Sequence, residues 1–184
     1  GRGISHHDNK IIFTRGALSG EKVIASRSLS RSKYEEADMI EILRKSPDRI
    51  EAKCQVYGIC GGCSFQHLSS ENQISVKESW LKSAFMGQAK SEPKKWLDPL
   101  QVDSWGYRRK ARLGVRYVAK KEKVLVGFRE RKSSFITVMS RCEVLHPSLG
   151  ENLELLGDCI GKLSIKTHVP QIEVAIAELD TILI

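Results

Sequence analysis

The sequence predicts a mainly β protein with an α+β second part: a small β-barrel over residues 1–50, then an α+β domain over 51–184 built on an antiparallel sheet. Three observations carry this. Short apolar segments separated by Gly and Ser turns fill the first part of the chain. Ser46-Pro47-Asp48-Arg49 has the composition of a linker. Beyond it, a cysteine-rich loop opens a stretch in which strand-like alternation and helical spacing take turns.

Residues 10–14 and 22–26 are β-branched or aromatic runs on either side of a turn bounded by Gly16 and Gly20, and a further run covers 34–43. Residues 69–85 have helical spacing, with Ile74, Trp80, Leu81, Ala84 and Phe85 at compatible positions and Ser69 or Ser70 able to cap the N-terminus. The polar, proline-interrupted stretch 90–99 is a connection. Strands are expected at 107–118, 123–129 and 134–139, the first two joined by a turn at 119–122. A helix is expected at 151–163, where Leu155, Leu156, Cys159, Ile160 and Leu163 share an apolar face and make Cys159 a core residue. The last segment, 169–184, reads as two strands and stops on an apolar run. An unpaired apolar strand is a liability, and the chain starts at Gly1 rather than Met, so it is expected to be a piece of a larger protein.

The cysteines carry the chemistry. Cys54, Cys60 and Cys63 form a C-x5-C-G-G-C cluster, and three thiolates on so short a segment converge on one point. Sulfur donors suit a soft centre, an iron-sulfur cluster or zinc, and the paired glycines let the backbone fold tightly around it. Buried structural cysteines are the plain alternative, disfavoured by the three neighbouring glycines, Gly58, Gly61 and Gly62. Five cysteines are an odd number and no signal-peptide h-region opens the chain, so a reduced, cytoplasmic setting is expected rather than a disulfide framework. A fourth ligand could come from Cys142, Cys159 or His67. Cys142, between a β-rich run and the turn at His146-Pro147, is favoured, with His67 in reserve for zinc. Zinc ribbons ask for a second C-x2-C, which is lacking, and this tilts the spacing toward iron-sulfur.

Charge points to a polyanion. The net charge is +8, yet residues 105–132 alone hold eleven cations against Glu122 and Glu130, a local excess of +9. A basic balance confined to one segment is the footprint of a phosphate-binding face. Alternation along 107–118 puts Arg108, Lys110, Arg112 and Arg116 on one face and Ala111, Leu113, Val115 and Tyr117 on the other. A solvated outer face is the plain alternative, but such faces usually mix signs, and this one has no interleaved carboxylate. Trp105 and Tyr107 could add base stacking. No apolar stretch approaches the roughly 20 residues of a membrane span, and no helix-turn-helix or finger pattern suggests DNA.

Several motifs together resemble the bacterial 23S rRNA uracil-5 methyltransferases. Residues 16–23 (Gly-Ala-Leu-Ser-Gly-Glu-Lys-Val) resemble that family's TRAM turn, with Ser19 where Pro is common. Cys54-x5-Cys60-Gly61-Gly62-Cys63-Ser64-Phe65-Gln66-His67 resembles its cluster loop, and residues 105–113, then Val126-Gly127-Phe128-Arg129, then Cys142 follow in the family's order. The resemblance covers nearly the whole chain. It implies an OB-like TRAM barrel, truncated at its N-terminus, and a partial central domain holding a [4Fe-4S] cluster on Cys54, Cys60, Cys63 and Cys142. It also implies that residues 73–104 leave the central domain to pack on a methyltransferase domain.

The activity implied is S-adenosylmethionine-dependent formation of 5-methyluridine in 23S rRNA by a cytoplasmic, monomeric enzyme active in rRNA processing. A cysteine thiolate adds to uracil C6, C5 takes the methyl group, and a base removes the C5 proton. No catalytic or cofactor-binding residue is expected within this chain, which shows no Gly-rich loop after a strand, so the piece alone is expected to be inactive. Two other classes remain. One is a stand-alone RNA-binding module with structural zinc. The other is a TRAM-containing radical methylthiotransferase, whose C-x3-C-x2-C signature disagrees with the x5 spacing here.

Overall fold

The computed structural model describes residues 1–178 and 181–183, the last three by their backbone. It is mostly β, with two four-stranded sheets and few helices. The chain divides into two units, Gly1–Ala52 with Ser64–Pro99, and Lys53–Cys63 with Leu100–Ile184. The chain thus enters the second unit for the cysteine loop, returns to the first, and crosses again near residue 100. Most of the stretch expected to leave the central domain, 73–104, groups with the first unit.

In the first unit the strands β1 (Arg2–His7), β2 (Lys10–Arg15), β3 (Lys22–Ser30) and β4 (Tyr34–Arg44) form a mixed sheet in the order β1-β2-β4-β3. β1 lies outside the runs singled out in the sequence. It pairs with β2 through a two-residue loop, Asp8-Asn9, whose φ angles of 47° and 60° are left-handed. Asp and Asn tolerate that region, and such a turn matches the twist of the strands it joins. β2 and β4 run parallel, while β3 and β4 run antiparallel with three register shifts that bend the sheet. β3 extends past Ser26 to Ser30. Helix α1 (Ser70–Ala84) starts at Ser69, whose side chain accepts a hydrogen bond from the Asn72 N–H. None of its residues is buried.

A buried ion pair ties the Gly16–Gly20 turn to the linker. Glu21 has no exposed side-chain surface and Arg49 is 11% exposed. The Glu21 carboxylate accepts from the Leu18 N–H at 2.8 Å, the Ser46 N–H at 3.2 Å and both Arg49 Nε and NH2. Arg49 also donates to the Gly16 carbonyl at 2.6 Å. Every lone-pair direction of the buried anion is therefore used, the condition under which a buried pair is tolerated.

In the second unit β5 (Lys110–Val118), β6 (Lys123–Gly127), β7 (Gln171–Ile176) and β8 (Thr181–Leu183) form an antiparallel sheet in the order β6-β5-β7-β8. Ala111, Leu113 and Val115 of β5, Val124 and Val126 of β6, and Ile172, Val174 and Ile176 of β7 face one core. Short helix α2 (Pro147–Gly150) and helix α3 (Leu153–Gly161) supply Leu149, Leu153 and Ile160 to it.

Two expectations are corrected here. The segment 134–139 is no strand: only Ile136 forms a bridge, to Arg129, after a turn in which Lys132 takes φ of 57°. Of its apolar residues Ile136 is buried, while Phe135 and Val138 are exposed. On α3, the buried positions are Leu153, Gly157 and Ile160, while Leu155 and Cys159 point outward. Gly157 sets this phase. A Cβ there would lie 2.7 Å from the Val124 carbonyl oxygen, so the helix approaches β6 along its glycine and turns Cys159 away from the core.

The Glu21 site gives a pH prediction. Burial pushes the Glu21 carboxyl up, but the Arg49 hydrogen bond, the Leu18 and Ser46 N–H groups and the Arg49 charge outweigh it and bring it from 4.5 to about 2. A depressed folded-state pKa contributes stability above pH 4.5 that is lost as pH falls toward 2. Thermal melts across that window should show a shallower acid loss for Glu21→Gln than for the wild type. Arg49→Met, which strands the carboxylate, should cost about 3–5 kcal/mol at neutral pH.

Candidate metal centre and nucleic-acid interface

The cysteine loop is a succession of tight turns. The N–H of Tyr57 donates to the Cys54 carbonyl at 3.0 Å, and those of Ile59 and Cys60 donate to the Val56 carbonyl at 3.2 and 3.0 Å. Gly58, with φ of 93°, makes the reversal that a side chain would resist. The loop then pairs with the segment after β6: Gly61 N–H donates to the Arg129 carbonyl at 2.9 Å, and Arg131 N–H to the Ile59 carbonyl at 2.8 Å. Both glycines of the C-G-G-C motif are explained by this pairing. A Cβ on Gly61 would lie 3.0 Å from the Arg129 carbonyl oxygen, and one on Gly62 would lie 3.3 Å from the Phe128 ring and 3.5 Å from Cys60 Sγ.

Cys142 belongs to the same unit as the cysteine loop. It is buried in the core, and its N–H donates to the Gly150 carbonyl at 2.9 Å. Burial pushes the Cys54 thiol above its ordinary range, the Val56 N–H lowers it, and Cys142, Cys60 and Cys63 raise it further. Burial raises the Cys142 thiol as well, against hydrogen bonds from the Leu145 and Val144 N–H groups, and Cys63 and Cys60 add to the rise. The four thiols thus lie within electrostatic range of one another. Cys159 lies apart on the exposed side of α3, and His67 belongs to the first unit, stacked on Phe65 at 6.2 Å.

Among the described residues no group of three or more His, Cys, Asp or Glu side chains is set to hold a metal ion. The donor set nevertheless fits a soft centre. It is all sulfur, and backbone N–H groups point at it: Gly62 N–H donates to Cys60 Sγ at 3.4 Å, beside the N–H groups already named at Cys54 and Cys142. Such donors stabilise thiolate charge, and burial with mutual repulsion makes bare thiolates costly until a cation joins them.

Two contacts that sequence reasoning missed brace the site. Arg131, counted there only as one cation of the basic segment, donates from Nε to the Cys60 carbonyl at 3.0 Å and from NH2 to the Cys63 carbonyl, and its guanidinium sits 5.6 Å from the Tyr57 ring centre. Lys53 bridges to Glu143 at 3.1 Å, joining the neighbours of Cys54 and Cys142, and Glu143 also takes Arg141 at 3.0 Å. No local signal marks either, because both depend on residues about 70 to 90 positions apart in sequence.

The cationic residues divide. Lys110, Arg112 and Arg116 are exposed on β5, opposite the buried Ala111, Leu113 and Val115. Arg112 is paired with Glu173 on β7. Arg108 precedes the strand and is half-buried, its guanidinium 6.0 Å from the Tyr107 ring centre and 5.7 Å from that of Phe128. Trp105 packs on the core beneath Lys53 Nζ, 5.0 Å away, whereas Tyr107 is exposed.

No protein-family model matches the chain. It is 66% identical over 178 residues to the 23S rRNA (uracil(1939)-C(5))-methyltransferase of Vesicomyosocius okutanii, covering 97% of this chain and 40% of that protein. To the protein of the same description from Nitrosococcus oceani it is 47% identical over 182 residues, covering 98% of this chain and 41% of that one. The chain therefore spans about 40% of the length of these curated relatives. Among solved structures it resembles the Pyrococcus abyssi tRNA (uracil-54, C5)-methyltransferase in complex with S-adenosyl-L-homocysteine, with a TM-score of 0.63 and 21% identity over 99% of this chain and 44% of that chain. That likeness is one of fold.

The packing of the loop predicts its sensitivity. Gly61→Ala should lower second-unit stability by about 1–3 kcal/mol, since the new methyl meets a backbone oxygen that cannot swing aside. Gly87→Ala, with nothing within 4 Å, should cost nothing measurable in the same chemical denaturation series.

Proposed function

We propose that this chain, which belongs to the 23S rRNA (uracil-C5)-methyltransferase family, is the RNA-binding and iron-sulfur part of an enzyme that uses S-adenosylmethionine to form 5-methyluridine in 23S rRNA. The reading is supported by the mutual charge effects among Cys54, Cys60, Cys63 and Cys142, all in the unit whose β5 presents Lys110, Arg112 and Arg116 to solvent. The four thiols would hold a [4Fe-4S] cluster, whose iron-thiolate bonds tie residues 54–63 to Cys142. Gly62, Val56, Val144 and Leu145 donate N–H groups toward the sulfurs, and Arg131 fixes the carbonyls between them. Burial in the core keeps water from Cys142.

On the RNA side, exposed cations meet phosphates and release counterions. Arg116 and Lys110 contribute directly, while Arg112 must first exchange its Glu173 partner for a phosphate. Cys54, Cys60, Cys63 and Cys142 are assigned to the cluster and Cys159 lies on an exposed helix side, so none of the five is assigned the nucleophile's role. Catalysis and S-adenosylmethionine binding are placed in the part of the relatives that this chain does not span. The reading also places the protein in the reducing cytoplasm, as a monomer.

Anaerobically purified protein should be brown and contain iron and sulfide. Cys142→Ser should bleach it and Cys159→Ser should not; stoichiometric zinc without iron would overturn the cluster. RNA affinity should fall steeply with salt, and replacing Lys110, Arg112 and Arg116 by Ala should reduce the log-log slope by about 0.7 for each cation that touches a phosphate. An unchanged slope would reduce β5 to a solvated face. With labelled S-adenosylmethionine and unmodified ribosomal RNA the chain alone should transfer no label, and label in uridine would place catalysis within it.

A further inference from the structure

Residues 128–137 form a hairpin that the cationic face of β5 does not account for. Thr137 N–H donates to the Phe128 carbonyl at 2.9 Å and Glu130 N–H to the Phe135 carbonyl at 2.9 Å, with Arg129 bridged to Ile136. The turn is fixed by Lys132 at φ of 57° and by Ser133 Oγ accepting the Phe135 N–H at 2.9 Å. Ile136 and Thr137 are buried, so the arm cannot rotate, and the preceding residue must face out. That residue is Phe135, 72% exposed. Arg129 and Lys132, both exposed, belong to the same hairpin.

The base of the hairpin is locked to the cysteine loop. Gly61 and Ile59 pair with Arg129 and Arg131, Gly62 lies against Phe128, and Arg131 holds the Cys60 and Cys63 carbonyls. An isolated exposed apolar side chain is ordinary on a protein surface. An aromatic ring held outward on a hairpin with its own internal bonds and a braced base, which also carries the exposed Arg129 and Lys132 and has Glu130 across from Phe135 as its one carboxylate, is arranged as a platform: a base stacks on the ring while the strand's phosphates meet the hairpin's cations.

We propose that Phe135 is a stacking platform for an unpaired base of single-stranded RNA, presented on a hairpin whose pose is set through Arg131 by the cysteine loop. The proposal rests on the RNA-binding reading above and adds an aromatic contact to it. A ring over a base is insensitive to salt, whereas the cations of β5 are not, so the two contributions separate in one titration.

The anaerobically purified chain is titrated into a fluorescein-labelled single-stranded oligouridylate at several salt concentrations. Phe135→Ala should weaken binding by about 5- to 100-fold at every salt concentration while leaving the log-log slope unchanged. Phe135→Tyr should restore most of the affinity and Phe135→Leu should not, which separates stacking from simple apolar contact. Arg131→Met should weaken binding as Phe135→Ala does, and adding Phe135→Ala to it should cost little more. Because Phe135 is 72% exposed, its truncation removes little packing, and a thermal melt checks that the variants stay folded. Wild-type affinity in both Phe135→Ala and Phe135→Leu, with a steep salt slope retained, would overturn the platform and leave the cationic face standing. Absence of any salt-dependent binding by the wild type would overturn both readings.

Discussion

The second unit depends on one close approach of backbone to backbone, that of Gly61 to residues 129–131, with Gly62 against the Phe128 ring. With 3.0 Å between a Gly61 Cβ position and the Arg129 carbonyl oxygen, any side chain would push the two segments apart. The approach lets the loop use its neighbour as a strand partner, which satisfies the Gly61 and Arg131 N–H groups that a tight cysteine turn would otherwise leave to water. Cys60 and Cys63 are aimed as a by-product of that pairing. The same principle recurs at Gly150, where a Cβ would lie 2.5 Å from the Cys142 carbonyl oxygen, so glycine contacts help to position Cys142 alongside its packing in the core.

The sheet behind the site has a different task. Leu113, with no exposed surface, and its neighbours on β6, β7 and α3 form an apolar core from which Cys142, Val144 and Leu145 continue without interruption. A rigid core on one side and a glycine-spaced loop on the other give the thiols a fixed frame, the arrangement that makes a binding site more precise than a loop alone could be. In the first unit a charged pair does comparable work: Arg49 and Glu21 join a turn to a linker where apolar side chains are few.

Much of this was legible in the residues, and what was not has identifiable reasons. β5 could be read because alternation over Lys110 to Val118 is a local signal that the burial pattern reproduces. Ser69 could be read as a cap because the hydrogen bond it makes is to a residue three positions on. The phase of α3 could not: Leu155 and Cys159 fit a helical face as well as Leu153 and Ile160 do, and only the tertiary contact of Gly157 with Val124 chooses between them. Residues 134–139 look like a strand because Ile136, Thr137 and Val138 are β-branched, yet they lie where the sheet has ended. The role of Arg131 is invisible in the sequence, since a cation braced on carbonyls and a cation facing solvent are the same letter.

The division of the chain between the units also fixes an order of events during synthesis. Residues 53–63 belong to the second unit, but the first unit's last stretch, 64–99, follows them in the chain. The carbonyl of Arg129 and the thiol of Cys142 that complete the loop's surroundings do not exist until some 70 to 80 residues later. A ribosome-bound chain therefore passes through an interval in which the three cysteines have been made but most of the unit they belong to has not. Throughout it those thiols lack the partners that surround them in the finished fold.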